Sequence, residues 1–150
     1  MLPMGSGHYP PDMPELLVVS DSARVREEVI AALPDSSITV RELTRGADVR
    51  PEVRRSKPDL IVLDSQIGAM GGMATCLDLH LEEGAGRIEH TPVLQLLDRR
   101  ADVFLARRAA AEGFLVKPLD PMRLSRAIRT LLDGGTYEDA AYRPVTVPLS

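Results

Sequence analysis

At 150 residues the chain has the length of one domain, enough to bury roughly two-thirds of its unfolded surface. A net charge of -4 gives no overall basic field for nucleic acid, and 3% aromatic residues without Trp offer no stacking platform for single strands. A single cysteine excludes an internal disulfide, and no apolar run approaches the roughly 20 residues that a membrane helix needs. Residues 1–14 lack the charged start and apolar core of a secretory signal, so the expected location is the cytoplasm.

Residues 1–14 contain four prolines and two glycines with no strand or helix period, and read as a flexible leader. Leu16-Leu17-Val18-Val19 is a short apolar strand that ends in Ser20-Asp21-Ser22. From Arg24 to Leu33, Val25, Val29, Ala32 and Leu33 share one helical face, and Pro34 stops the helix. Ser37 to Leu43 alternates as a more exposed strand does. Arg45 to Ser56 follows as a short polar helix whose first turn is broken near Pro51.

The run from Pro58 to Asp64 is apolar until it ends in a carboxylate, with Gly68, Gly71 and Gly72 close behind. Such a run suits a parallel strand covered by helices on both faces. Met73 to Glu83 reads as a helix with Met73, Cys76, Leu77, Leu79 and His80 available for packing. Pro92 to Leu97 is a fourth strand, after which Asp98 caps a helix expected to run through Glu112 and end at Gly113. Phe114-Leu115-Val116 is a fifth strand leading into Lys117-Pro118. Asp120-Pro121 starts a last helix whose inward face is Leu124, Ala127, Ile128, Leu131 and Leu132. Residues 134–150 read as a flexible tail. Five strands alternating with five helices give an α/β fold: a doubly wound five-stranded parallel sheet with helices on both faces, spanning residues 15–133.

Strands one, three and five end in Asp21, Asp64 and Lys117, at the sheet edge where ligands of open α/β folds sit. Two neighbouring carboxylates repel unless a cation intervenes, and Mg2+ or Lys117 would supply one. A phosphoryl group on Asp64 would have its charge balanced by both. The plainer alternative is a buried network in which the three charges neutralise one another and support the loops.

These residues resemble the receiver domain of two-component response regulators over residues 15–133. The resemblance rests on Leu17-Val18-Val19-Ser20-Asp21, Pro58 to Asp64, Met70-Gly71-Gly72, Pro92-Val93 and Phe114-Leu115-Val116-Lys117-Pro118, in that order and spacing. It implies a flavodoxin-like sheet of order 2-1-3-4-5, Asp64 as phosphoacceptor, and a metal site of Asp21, Asp64 and the Gln66 backbone carbonyl. It further implies Lys117 as the partner of the phosphoryl group and carboxylate, and a conformational switch at positions 97 and 114, here Leu97 and Phe114. The Lys117–Pro118 bond is often cis in that family.

Four positions depart from the family pattern. Ser20 replaces one of two adjacent acids, which lowers metal affinity, and Gly68 replaces a proline. Leu97 replaces the Ser or Thr that bonds the phosphoryl group, and Asp98 sits where a small residue is usual. One oriented donor is worth ~3 kcal/mol in charge-stabilising sites, so its loss slows transfer by orders of magnitude. The expectation is a degenerate receiver, a stand-alone signalling module acting by protein contact, with impaired phospho-switching and weak Mg2+ binding. Its rival is a conventional single-domain regulator phosphorylated on Asp64 by a histidine kinase.

Arg99, Arg100, Arg107, Arg108, Arg123, Arg126 and Arg129 fall on the last two helices. They read either as solvated faces or as a cationic surface for an acidic partner, whether kinase, downstream target or a second copy in a homodimer. Cys76 and His80 are four apart, half of a metal site at most, and core packing is the plainer reading. An aspartyl-phosphate hydrolase would need a second acid where Gln66 stands, and a cobalamin module a histidine there. No phosphate loop for a nucleotide is present, and residues 134–150 supply no helix-turn-helix for direct contact with nucleic acid.

Overall fold

The computed structural model describes residues 13–66 and 71–139. In chain order the elements are β1 (Glu15–Val19), α1 (Ala23–Ala31), β2 (Thr39–Leu43), α2 (Val49–Arg55), β3 (Leu60–Asp64) and α3 (Gly72–Gly84). There follow β4 (Val93–Leu97), α4 (Val103–Arg108), β5 (Gly113–Val116), α5 (Pro121–Leu132) and β6 (Tyr137–Glu138). The strands form one parallel sheet of order β2-β1-β3-β4-β5-β6.

Every residue of β3 and β4 is buried, which is why neither strand alternates with polar residues. Successive side chains instead divide between two cores. Leu16, Val18, Leu60, Val62, Leu94, Leu96 and Leu115 join Val29 of α1 and Leu124, Ala127, Ile128 and Leu131 of α5. Leu17, Val19, Ile61, Leu63 and Val93 join Val49 and Val53 of α2 and Cys76 and Leu79 of α3. A smaller cluster beside α4 holds Leu97, Val103, Ala106, Phe114 and Val116.

Helix starts follow their caps. Ser22 accepts the Val25 N–H, and Asp120 accepts those of Met122 and Arg123 ahead of Pro121. A 3-10 turn at Gly46–Asp48 leads into α2, the broken start that Pro51 suggested. Leu77, expected to pack inward, is 49% exposed, and Leu81 is more so.

Two expectations need correction. The helix expected from Asp98 to Glu112 is only α4, Val103–Arg108, after a 3-10 turn. Ala110 takes a left-handed conformation (φ 57°) and reverses the chain, doing the work assigned to Gly113. Gly113 instead opens β5, where a Cβ would lie 3.0 Å from the Tyr137 carbonyl oxygen and 3.1 Å from Leu131.

The tail expected from residue 134 also does not begin there. Gly135 N–H bonds the Thr130 carbonyl, Tyr137 N–H bonds the Glu112 carbonyl, and β6 adds a sixth strand to the β5 edge. Such a two-residue strand has no periodicity for a sequence reading to find. Residues 1–12 and 140–150, most of the expected leader and tail, lie outside the described residues, as do Gly68 and Met70. Pro14, at the leader's end, is buried and accepts the Thr39 N–H.

Candidate functional site

Strand register assembles the site. Val19 of β1 pairs with Leu63 of β3, so the next residues, Ser20 and Asp64, come side by side. Leu97 pairs with Val116 in the same way, which sets Asp98 beside Lys117. Asp64 is 1% exposed and both its oxygens are engaged. Oδ1 accepts Lys117 Nζ at 2.7 Å and the Gln66 N–H at 3.3 Å, while Oδ2 accepts the Ser20 hydroxyl at 2.7 Å.

Lys117 bridges two acids, because Nζ also bonds Asp98 Oδ1 at 2.9 Å, and the Ser65 hydroxyl donates to Asp98 Oδ2 at 3.0 Å. Partial burial works against the Lys117 charge, but its hydrogen bonds to Asp64 and Asp98 outweigh it and raise the ammonium above its ordinary pKa. It is therefore fully charged at neutral pH. The Lys117–Pro118 peptide is cis.

Ser20 is fully buried and tied on every side: its N–H bonds Leu43, its carbonyl accepts Arg26 Nη1 at 2.7 Å, and its Oγ accepts the Ser22 N–H. Asp21, next in the chain, is exposed above it. Gly72 fixes the other wall. A Cβ there would lie 2.6 Å from the Asp64 carbonyl oxygen, so only glycine lets the start of α3 sit against the end of β3.

Leu97 is wholly buried and Phe114 is 3% exposed, and both belong to the cluster beside α4. No hydroxyl stands at the end of β4, and the aromatic already points inward.

The donor set suits a divalent metal poorly. The position that resembles a second acid is a hydroxyl, the Asp64 oxygens are both occupied, and Lys117 already bridges Asp64 and Asp98. Among the described residues no group of three or more His, Cys, Asp and Glu side chains is placed to hold a metal ion. Burial pushes the Cys76 thiol up to about 11, and its Sγ donates to the Ala109 carbonyl, so it packs as a neutral core residue. His80 finds an unexpected neighbour in His90, whose ring lies 6.4 Å away, with Glu83 between them.

The arginines have different partners. Arg107 pairs with Glu138 and Arg123 with Asp139, both at the end of the described chain. Arg99 pairs with Asp102, and Arg108 lies over the Phe104 ring. Arg126 and Arg129 line a groove between α1 and α5. The position of Arg100 follows from the 3-10 turn before α4, where it is exposed.

Reading the sequence by motif missed two roles. By motif Ser20 reads only as a lost acid, although it donates to Asp64, and Asp98 as a helix cap standing where a small residue is usual, although it is the second partner of Lys117. Working through the strand register would have found both, since opposed residues on adjacent strands are neighbours.

A family model described as the response regulator receiver domain matches residues 16–129. An uncharacterised response regulatory protein of Mycobacterium tuberculosis is 33% identical over 123 residues, covering 78% of this chain and 90% of that protein. The transcriptional regulatory protein AfsQ1 of Streptomyces coelicolor is 28% identical, and the match covers 84% of this chain and 54% of AfsQ1. Among solved structures, a LuxR-family two-component response regulator from Aurantimonas superposes with a TM-score of 0.75 at 22% identity, covering 87% of this chain and 93% of the other. Chemotaxis response regulator CheY4 of Vibrio cholerae gives 0.67 at 24%, covering 78% and 97%. The sheet order, the acid at the end of β3 and these matches place the chain in one family: it belongs to the response regulator receiver domains of two-component signalling.

Proposed function

We propose that this receiver domain signals by protein contact, that Asp64 is its phosphoacceptor position, and that phosphorylation is slow and weakly coupled to shape. The observation that carries the proposal is the state of the Asp64 oxygens. Lys117 holds one and the Ser20 hydroxyl the other, in a pocket that is 1% exposed at Asp64. For transfer, a carboxylate oxygen must form a bond to phosphorus as the donor's P–N or P–O bond breaks, so the Ser20 hydroxyl has to leave Oδ2 first. Lys117 then stands ready to balance the new charge, but only by loosening its bond to Asp98.

The coupling is weak for a separate reason. Leu97 offers no hydrogen-bond donor to a phosphoryl oxygen, and Phe114 is packed inward before any phosphate arrives. Mg2+ contributes little, given the donor set. The rival reading, an ordinary regulator phosphorylated by a histidine kinase, draws its support from the charged Lys117 beside Asp64. The hydrolase reading has no acid at Gln66 to serve it.

Incubation with acetyl phosphate, with and without Mg2+, separates these readings by intact mass against an Asp64→Ala control. Slow gain of one phosphate on the wild type only, with little Mg2+ dependence and unchanged amide shifts around Phe114, is the expected result. Rapid Mg2+-dependent gain with large shifts at Phe114 would establish the ordinary regulator instead.

A further inference from the structure

Asp98 is held from both sides by the strands that flank β4. Ser65 N–H bonds the Leu96 carbonyl at 2.9 Å and Lys117 N–H bonds the Leu97 carbonyl at 2.8 Å, so the ends of β3 and β5 stay in register with β4 as far as Asp98. The side chains follow the backbone. The Ser65 hydroxyl donates to Asp98 Oδ2 at 3.0 Å, and Lys117 Nζ donates to Asp98 Oδ1 at 2.9 Å. The same Nζ bonds Asp64 Oδ1 at 2.7 Å, so one ammonium joins carboxylates from two different strands. Asp64 is the buried member of the group, while Lys117 and Asp98 are each partly exposed. An ammonium and a hydroxyl converging on one carboxylate form a donor pattern that also suits the oxygens of a phosphoryl group.

We propose that Asp98 is a tethered anion that fills, from within the chain, the place at Lys117 and Ser65 where a phosphoryl oxygen would be received, and that its charge, not its bulk, keeps incoming oxyanions away from Lys117. The inference deepens the reading of Asp64 as phosphoacceptor and rests on it for its effect on transfer. A carboxylate built into the pocket competes at an effective concentration on the order of millimolar or above, so a donor anion at lower concentration meets a filled site. It also meets like charge, because the ammonium that would attract it is already shared between two acids. Asn at position 98 keeps the shape and an acceptor oxygen but gives up the charge, whereas Ala gives up both. The two substitutions therefore separate charge from steric access. Ser65 is the positioning residue of the arrangement, since its hydroxyl steadies the Asp98 oxygen that Lys117 does not bond.

The test uses the full chain as wild type, Asp98→Asn, Asp98→Ala and Ser65→Ala. Inorganic phosphate is titrated at constant ionic strength while the Ser65 and Lys117 amide resonances are followed, and acetyl phosphate is followed by intact mass. In Asp98→Asn, inorganic phosphate shifts both amides at concentrations at least about tenfold below those that wild type requires, the worth of one charge-assisted bond. The initial rate of phosphate gain rises by about the same factor, through a lower donor concentration at half-maximal rate. Asp98→Ala behaves alike. Ser65→Ala leaves every charge in place, gives a smaller rise in both readouts, and carries the test should an Asp98 variant unfold without a cooperative transition. Phosphate titrations that coincide for wild type, Asp98→Asn and Ser65→Ala overturn the proposal. So does an Asp98→Asn rate equal to a measurable wild-type rate, and a rise confined to Asp98→Ala overturns it by assigning the restraint to bulk. Amide shifts as expected with no mass gain in any of the four proteins support Asp98 as the anion at Lys117 and overturn instead the reading of Asp64 as phosphoacceptor.

Discussion

Lys117 decides the electrostatics of the pocket, because it is the cation shared by two carboxylates that the strand register forces together. Replacing it strands Asp64 as a buried charge. Lys117→Ala is expected to cost on the order of 2 kcal/mol in urea unfolding, below the ~3–5 of fully buried pairs because the lysine side chain is 21% exposed. Combining it with Asp64→Asn recovers most of the loss, since the carboxylate then left without its cation is Asp98, whose side chain is 26% exposed. If the double variant is as unstable as the single, Lys117 supports the fold through packing and not through charge. At this scale the sequence was informative about the Asp64–Lys117 pair and silent about its further partners. Asp64 and Lys117 were visible as acid and base at strand ends, whereas the Ser20 hydroxyl and the Asp98 bridge depend on which residues the sheet sets side by side.

Among the elements, α3 is the one whose placement most directly shapes the site. Its first residue, Gly72, touches the backbone of Asp64 and Ser65, at 2.6 and 2.8 Å from where a Cβ would be. Backbone cannot yield as a side chain can, so Gly72→Ala is expected to cost ~1–3 kcal/mol and to shift the Asp64 and Lys117 resonances. Gly71→Ala is the control, because its Cβ would meet the Ser65 carbonyl at an ordinary 3.7 Å. Equal effects from the two would mean that close approach at Gly72 is not the constraint. The apolar strands and α1 were legible from period, and α5 from its Asp120 cap as well. The exit from α4 was not, because a left-handed alanine gives no compositional sign where a glycine would. Gly113 was legible as a special backbone position, but its role came from a strand that pairs 24 residues later in register with it.

Over the whole molecule, a second charged cluster lies outside the pocket and ties three segments together. His90, in the loop before β4, bonds Glu83 of α3 at 3.0 Å and Glu112, just before β5, at 2.8 Å, with the His80 ring stacked beside it. Partial burial opposes protonation of His90, but the Glu83 hydrogen bond and the Glu112 charge prevail and raise its pKa above the ordinary value. A raised folded-state pKa means that the stabilisation is fully present below the unfolded value and disappears as pH climbs through the folded one. Urea midpoints of wild type should therefore fall between about pH 6 and 8, and those of His90→Gln should stay flatter over that range. The effect is small because the His90 side chain is 55% exposed. Parallel pH profiles for the two proteins would remove His90 from the account.

The two-residue β6 has a further consequence for how the protein behaves in bulk solution. A parallel sheet ending at β5 would present an uncovered ladder of amides and carbonyls flanked by Phe114 and Val116, a template onto which other chains could stack. Capping that ladder with a strand too short to template another, and burying Asp139 against its last amide, blunts the edge. Residues 137–139 thus protect the β5 side of the sheet, and a chain that loses their carboxylates is expected to precipitate at lower concentrations than the intact protein.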